Sequence, residues 1–431
     1  MLCRGGAVGG WFGDDKRSKV YTIFIAQHAT IPYISRSSTI ATNVEGRTMK
    51  ILRIEKDKHP IGNPASASDD QDDWRLQDRN AVRDVAGLLE YLPLTADTRK
   101  EIQSARQRFR MKVTPYYLSL MDPDDPQCPI TKMAIPDIRE LTVHPDELDD
   151  PTGDENPDLG NQPVSRLVHR YPDRVLLLPT ARCGTYCRHC FRRRLAGRSD
   201  QNASPFELSA ALEYIHSHNG IKEVILSGGD PLTMSDDALF SLLEKIRKIP
   251  HVRLLRIHTR MPVVNPFRIT MALARGLARM RPLRMVLQIN HPREITAVAR
   301  QHWARLTESG IMLLNQSVLL KGVNDHADTL RDLGWRLIET GIRPYYLHHL
   351  DLARGTGHFR VDIQRGLRIL RELQGTLPGD AIPRYVLDTP GGYGKVPLQH
   401  PYLAETKPGE YRIETPEGSH IVYKDIGFQS P

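Results

Sequence analysis

An α/β fold, with a parallel sheet rolled into an incomplete or complete βα barrel, is predicted for this 431-residue chain by three observations. From Arg174 onward, short apolar runs rich in branched residues alternate with helix-like stretches. Six such runs occur: Val175 to Leu178, Val224 to Leu226, Leu254 to Ile257, Met285 to Ile289, Ile311 to Leu320 and Tyr345 to Leu347. Residues able to do chemistry cluster just after these runs, and in barrels the C-terminal strand ends carry the chemistry.

The elements follow in order. Residues 1–48 lack sustained periodicity and read as a disordered extension or as an upstream start wrongly chosen, while Met49 opens the first segment that blends into the later pattern. Residues 49–165 read as a helical N-terminal region and an acidic linker. From Trp74 the spacing of Val82, Val85, Leu88, Leu89 and Leu92 predicts one helix with a single apolar face, stopped by Pro93. Thr95 is placed to cap a second helix that carries Ile102, Ala105 and Phe109 inward. The stretch from Asp146 to Asp158 is dense in Asp, Glu, Pro and Gly, which predicts a linker or surface loop. The barrel occupies 166–390, including a helix from Glu294 to Ser309 on which Ile295, Val298, Ala299 and Leu306 share a face. A segment over 391–431 ends the chain.

Cys183, Cys187 and Cys190 follow the first strand run directly. This CxxxCxxC spacing lets three thiolates converge on one iron-sulfur cluster, and four cysteines are usual where a cluster only transfers electrons. Three leave one iron free to bind something else, the mark of a reactive cluster. Structural zinc sites favour paired ligands, four in all, and His189 lies awkwardly between Cys187 and Cys190 for one shared metal. Cys3 and Cys128 have no partner at ligand spacing, and five cysteines in so long a chain do not make a disulfide framework.

Lysine and arginine outnumber the acids by 59 to 51, for a net charge of +8. A solvated surface is the common explanation of such a balance. Arg182, Arg188, Arg192, Arg193, Arg194 and Arg198 are different: they bracket the cysteines, and are read as directed at an anionic ligand beside the cluster rather than at DNA. A basic nucleic-acid-binding protein with a structural cluster is the competing reading from another class, and it predicts salt-dependent binding. No apolar stretch is long enough for a membrane span, and Val20 to Ala26 is short and lacks a signal-peptide layout. A cytoplasmic location is the expectation.

Other strand ends add candidates. Ser227-Gly228-Gly229-Asp230 closes the second run, with glycines that allow close backbone approach and one carboxylate. Asn315-Gln316-Ser317 and His348-His349-Leu350-Asp351 lie at the fifth and sixth. A further extended run, Arg384 to Asp388, ends just before Pro390-Gly-Gly-Tyr-Gly-Lys395. A lysine in a glycine-rich loop can be the Schiff-base residue for pyridoxal phosphate; a surface turn is the plainer alternative. A P-loop needs Ser or Thr after the lysine, and Val396 stands there.

Seven separated strings, in one order, together resemble the lysine 2,3-aminomutases within the radical S-adenosylmethionine (SAM) enzymes. They are His169-Arg-Tyr-Pro-Asp-Arg-Val, Cys187-Arg-His-Cys-Phe-Arg-Arg-Arg, Leu226-Ser-Gly-Gly-Asp, Asn290-His-Pro-Arg-Glu-Ile-Thr, Asn315-Gln-Ser-Val-Leu-Leu-Lys-Gly-Val-Asn-Asp, Arg343-Pro-Tyr-Tyr and Pro390-Gly-Gly-Tyr-Gly-Lys. The resemblance runs from about Trp74 to about residue 405 and implies a partial (βα)6 barrel. It implies that Cys183, Cys187 and Cys190 hold a [4Fe-4S] cluster whose open iron SAM chelates, and that an electron donor such as flavodoxin or ferredoxin reduces it. Gly228, Gly229, Asp230 and Gln316 would contact SAM. Lys395 would hold pyridoxal phosphate as a Schiff base, anchored by Arg170, Tyr171 and Arg174. The radical released from SAM would take hydrogen from the substrate's β-carbon, and the amino nitrogen would migrate from the α- to the β-carbon.

By the same resemblance Arg192 pairs with the substrate's α-carboxylate, while Asp351 and Asp388 match the two acids that bind lysine's distal ammonium. Relatives acting on glutamate replace that acidic pair, so lysine is the leading substrate and arginine is equally compatible with the charges. A sister activity that β-lysylates translation elongation factor P is the runner-up. Departures are Gln288, where relatives carry histidine, His348, where they carry tyrosine near the pyridoxal ring, and His326 in place of a zinc-site cysteine. With no cysteine after Cys190, the family's inter-subunit zinc site is not expected. A homo-oligomer is compatible with the chain but does not carry over from the family.

Overall fold

The computed structural model describes residues 72–195 and 200–427, so the readings of residues 1–71 and of Arg198 lie outside the described residues. The described residues fall within one compact unit, residues 61–431.

The N-terminal region is a series of short helices: α1 (Asp72–Arg79), α2 (Val85–Leu88), α3 (Ala96–Arg108), α4 (Pro115–Leu118) and α5 (Pro129–Ala134). The single helix expected from Trp74 is in fact two. Between α1 and α2, Val82 exchanges backbone hydrogen bonds with Val113 at 2.8 and 3.0 Å, a tertiary pairing that overrides the local period. Asp84 then caps α2 by accepting the Gly87 N–H at 2.9 Å. Leu88 and Leu92 are buried, whereas Leu89 is exposed. Thr95 does cap α3, accepting the Thr98 N–H at 3.1 Å; Ile102 and Ala105 face inward, and Phe109 lies just past the helix end.

Nine strands form one open sheet in sequence order. A hairpin of β1 (Leu167–Tyr171) and β2 (Arg174–Thr180) starts it. Then β3 (Glu223–Gly228), β4 (Leu254–Thr259), β5 (Leu283–Leu287), β6 (Met312–Val318), β7 (Ile342–His348) and β8 (Arg384–Asp388) each lie parallel to the strand before. The six expected strands are all present, and the Arg384–Asp388 run adds a seventh parallel one. β9 (Lys395–Pro397) returns antiparallel to β8. The crossovers carry α6 (Pro205–Ser217), α7 (Asp236–Arg247), α8 (Met261–Val264), α9 (Met271–Arg279), α10 (Ala297–Glu308), α11 (Ala327–Glu339) and α12 (Ile363–Leu373). The result is a partial βα barrel.

Side chains alternate across each strand. Val175, Leu177, Val224, Leu226, Leu255 and Ile257 join helix residues such as Ala211, Ile215, Leu239 and Leu243 in one buried core. The intervening positions, among them Ser227, Arg256 and His258, line a cavity on the other face. On α10 the buried stripe is Ala299, His302, Trp303 and Leu306, whereas Val298, assigned to that face by periodicity, is exposed. Ile295, counted with that face, precedes the helix, which begins after the Thr296 cap.

After β9, the strands β10 (Leu403–Lys407), β11 (Glu410–Glu414) and β12 (His420–Lys424) make a separate antiparallel sheet. Among the described residues no helix is long and apolar enough to cross a membrane.

Candidate active site

The C-terminal strand ends open into a cavity of about 660 Å³. Every site residue singled out in the sequence lines it: Cys183, Cys187, Cys190, Arg170, Tyr171, Arg174, Arg192, Gly228, Gly229, Asp230, Gln316, Asp351, Asp388 and Lys395.

The cysteine loop leaves β2 and is held by the N-terminal region. Lys112 Nζ donates to the Cys183 carbonyl at 2.8 Å and pairs with Asp78 at 2.8 Å. The Tyr186 N–H donates to the Lys112 carbonyl at 3.0 Å, and the Arg188 N–H to the Met133 carbonyl at 2.9 Å. From below, β3 presses directly on the loop. A Cβ on Gly228, which has φ of 107°, would lie 2.5 Å from the Thr180 carbonyl oxygen, and one on Gly229 would lie 2.2 Å from that of Arg182. These glycines therefore admit the chain's own cysteine loop. Asp230 has a related duty: Oδ1 accepts from Thr259 Oγ1 at 2.6 Å, and Oδ2 from the Arg260 and Met261 N–H groups at 2.7 and 2.8 Å. Its carboxylate ties β3 to β4 at the wall of the cavity.

Burial pushes all three thiols up, Cys187 to about 11, and the sulfurs' mutual repulsion adds to the rise at Cys183 and Cys187. Thiolates here need a cation beside them. Among the described residues no three His, Cys, Asp or Glu side chains converge on a single-ion site; a [4Fe-4S] cluster is a larger body that takes one thiolate per iron, which suits this donor set.

Four of the arginines around the cysteines are engaged by the chain's own acids, which corrects their reading as directed at an anionic ligand. Arg182 pairs with Asp78 (3.5 Å), Arg188 and Arg193 both pair with Glu140 (2.5 Å each), and Arg194 pairs with Asp150 (3.1 Å) and Glu155 (3.3 Å). Buried guanidinium groups require such partners. The acids come from the N-terminal region and from the segment expected to be a linker. That segment is built into the site: Asp154, buried, accepts from Arg192 at 2.9 Å and from Arg170 at 3.0 Å. Its neighbour Gly153 (φ 60°) leaves no room for a Cβ, which would fall 2.2 Å from the Gly391 carbonyl oxygen. The glycine-rich loop before Lys395 is thus seated on this segment, with Asn156 Nδ2 donating to the Gly391 carbonyl at 3.0 Å.

Asp154 grips the Nε and Nη2 edge of Arg192, leaving Nη1 toward Ser227 Oγ at 3.4 Å and the cavity. Arg170 donates to the Thr152 carbonyl at 2.5 Å, while its buried Nε has no hydrogen-bond partner among the described residues. The Arg174 guanidinium stacks 4.6 Å over the Tyr171 ring, and Tyr171 Oη accepts the Lys395 N–H at 2.8 Å. Two arginines, one with an orphan donor, a tyrosine and a lysine on a glycine-rich loop form a donor set that suits pyridoxal phosphate.

Lys395 Nζ lies 2.5 and 2.6 Å from the two Asp388 oxygens. Asp388 also accepts from His348 Nδ1 at 3.2 Å, and although burial pushes its carboxyl up, His348 and Lys395 hold it below the usual range. Asp351 makes no side-chain hydrogen bond or ion pair among the described residues. Burial, then the charge of Asp388, pushes it up to about 7.

Asp154, Arg256, His258, Tyr345 and Tyr346 also line or shape the site and were not singled out in the sequence. Arg256 is paired with Glu223 at 2.6 Å, and burial, then Arg256 and Lys395, holds His258 well below its usual value. The signal for Arg256 and His258 was present: polar residues alternating with Leu255 and Ile257 point to the opposite face of β4.

Residues 177–333 match the model of the Radical SAM superfamily. L-lysine 2,3-aminomutase of Clostridium subterminale is 40% identical over 356 residues, covering 83% of this chain and 85% of its own. Glutamate 2,3-aminomutase of Clostridioides difficile is 34% identical over 394 residues, 91% of each chain. L-lysine 2,3-aminomutase of Escherichia coli K12 is 36% identical over 330 residues, 76% of this chain and 95% of its own.

Proposed function

The chain belongs to the lysine 2,3-aminomutase family of radical SAM enzymes, and within that family we propose that it moves the α-amino group of L-lysine to the β-carbon. It is an isomerase that works with a [4Fe-4S] cluster, SAM and pyridoxal phosphate. Bound in the cavity, these groups supply a carbon radical that takes hydrogen from the β-carbon and a carrier for the migrating nitrogen. The family contains a glutamate enzyme as well, so the substrate has to be argued from the cavity.

The observation that carries the lysine reading is Asp351. A carboxylate with no side-chain partner among the described residues, beside a second carboxylate, gains its ionised form when a cationic ligand sits against it. A glutamate side chain would bring a third negative charge to the same place. By charge the acidic pair also suits an arginine side chain, and competition between the two amino acids separates these readings.

The remaining residues then have distinct tasks. Arg192, oriented by Asp154, offers Nη1 to the α-carboxylate at the opposite end of the substrate. Arg170, Tyr171 and Arg174 bind the pyridoxal phosphate, and Lys395 holds it until substrate takes its place. Cys183, Cys187 and Cys190 carry the cluster, while Gln316 and the backbone of Gly228 and Gly229 line the SAM position. A one-electron donor protein is the partner this chemistry requires.

Turnover of lysine labelled with heavy nitrogen at the α-position tests the proposal in anaerobic, reconstituted enzyme. The label should appear on the β-carbon of the product. Unreacted lysine, or label released as ammonia, would overturn it.

A further inference from the structure

We propose that Arg83, Arg108 and Arg110, which are exposed, together with the partly exposed Arg182, form the docking surface for a small acidic one-electron carrier protein. The inference rests on the cluster reading of Cys183, Cys187 and Cys190 given above, and adds to it the place and the charge of the partner.

The surface is assembled around Lys112. The bridge between Val82 and Val113 sets Arg83 beside the chain that runs from the end of α3 to Lys112. Arg83 donates to two backbone carbonyls, that of Ala81 at 2.7 Å and that of Asp78 at 3.3 Å. Arg182 reaches the Asp78 carboxylate at 3.5 Å, so both guanidinium groups meet at one residue. Before Lys112 in the chain, Arg108 and Arg110 are exposed and line the same cavity wall as Tyr186.

Counter-charge is short here. Asp78 is one carboxylate for two cations, Lys112 at 2.8 Å and Arg182 at 3.5 Å. Asp84 is engaged as the cap of α2, and Asp200 accepts from Tyr186 Oη at 2.6 Å. Arg83, Arg108 and Arg110 have no acidic partner among the described residues; Arg108 lies 5.4 Å from the Phe109 ring instead. Deeper in, Glu140, Asp150 and Asp154 neutralise the arginines that follow the cysteines. The uncompensated charge is therefore on the outside, where it attracts an acidic partner and speeds encounter.

The connection inward selects an electron carrier. Arg182 is the residue before Cys183, and Lys112 Nζ donates to the Cys183 carbonyl at 2.8 Å. Arg110 is two residues from Lys112, at most about 7 Å of chain. A protein seated on these arginines is thus one side chain away from the backbone of the cysteine loop. Association through exposed charge is weak and reversible, which suits a carrier that must leave after each delivery. One electron leaves the carrier, which is oxidised, and reduces the cluster; no bond forms or breaks and no proton moves.

The test follows bleaching of the cluster's charge-transfer absorbance in reconstituted full-length enzyme mixed with a reduced acidic flavodoxin. Arg83→Gln/Arg108→Gln/Arg110→Gln should slow this reduction at least about tenfold at about 0.05 M salt, with the gap closing toward about 0.5 M. Reduction of the same variant by dithionite should keep the wild-type rate. Arg275→Gln/Arg279→Gln/Arg368→Gln removes the same charge from exposed positions on α9 and α12, and should match the wild type with flavodoxin. An unchanged flavodoxin rate in the first variant, or an equal loss in both, would overturn the surface. A second measurement needs no cluster: oxidised flavodoxin titrated into the cluster-free full-length chain should bind at least about tenfold more weakly to the first variant than to the wild type. Equal binding would overturn the proposal, and tighter binding of short single-stranded DNA than of flavodoxin would overturn the choice of partner. Failure of the wild type to assemble a cluster would overturn the reading on which the surface rests, a result distinct from an unchanged rate.

Discussion

Arg192 meets Asp154 through its Nε and Nη2, both 2.9 Å from the same carboxylate oxygen, and so ties the arginine run after the cysteines to an acidic segment 38 residues upstream. Asp154 serves Arg170 with its other oxygen at 3.0 Å. Asp154→Asn would leave the largely buried Arg192 without its counter-charge and Arg170 with Asp388 alone, 4.0 Å away, and loss of about 3 kcal/mol of stability is expected. Denaturant unfolding of the full chain checks this. Asp97→Asn, at an exposed ion pair with Lys100, should change stability by less than about 0.5 kcal/mol.

Asp351 should make lysine binding depend on pH. Its folded value is raised to about 7 by burial and by Asp388, so the native state holds a proton there that the unfolded chain has already lost. Stability contributed by this group therefore falls as pH rises from the ordinary carboxylate range through about 7. Asp351→Asn should be more stable than the wild type at pH about 8, with the gap closing toward pH about 5. Lysine binding has the opposite trend, because only the ionised form attracts the ammonium. The lysine KM should fall as pH rises through about 7, and Asp351→Asn should flatten that profile.

Gly229 supports the cluster by lacking a side chain. An added Cβ meets backbone oxygen at 2.2 Å, which no side-chain rotation relieves. Gly229→Ala should displace the cysteine loop and lower iron and sulfide content after reconstitution, with the charge-transfer absorbance of the cluster falling in step. Full cluster loading in this variant would show that the packing is slack.

Asp388→Asn removes half of the acidic pair. Losing one partner of a desolvated charge pair costs about 2–5 kcal/mol, so kcat/KM for lysine should fall about thirtyfold or more. Steady-state kinetics under saturating SAM and pyridoxal phosphate reads this directly. An unchanged kcat/KM would remove Asp388 from the substrate site.

The strand runs were legible because apolar, branched stretches at the right length have few other uses, and the strand-end rule then pointed at Cys183, Asp351 and Lys395 before any coordinates. Harder to see was what the charges do to one another. Nothing in the composition of Asp146 to Asp158 distinguishes a solvated loop from a set of counter-ions, since the arginines it neutralises lie in a different part of the sequence. Likewise Val82 follows a helical period but pairs with Val113, because a backbone partner 31 residues away is invisible to local spacing. Gly228 and Gly229 were read correctly as sites of close approach, yet the neighbour they admit is the chain's own loop.

The account turns on a cavity that selects a cationic side chain. Anaerobic enzyme loaded with cluster, SAM and pyridoxal phosphate, given lysine, arginine and glutamate together in equal amounts, tests this most directly. The prediction is β-lysine as the main product, exceeding β-glutamate by about a hundredfold or more, as a desolvated charge pair of about 3 kcal/mol requires. β-Glutamate as the main product, or no β-amino acid from any of the three, would contradict it.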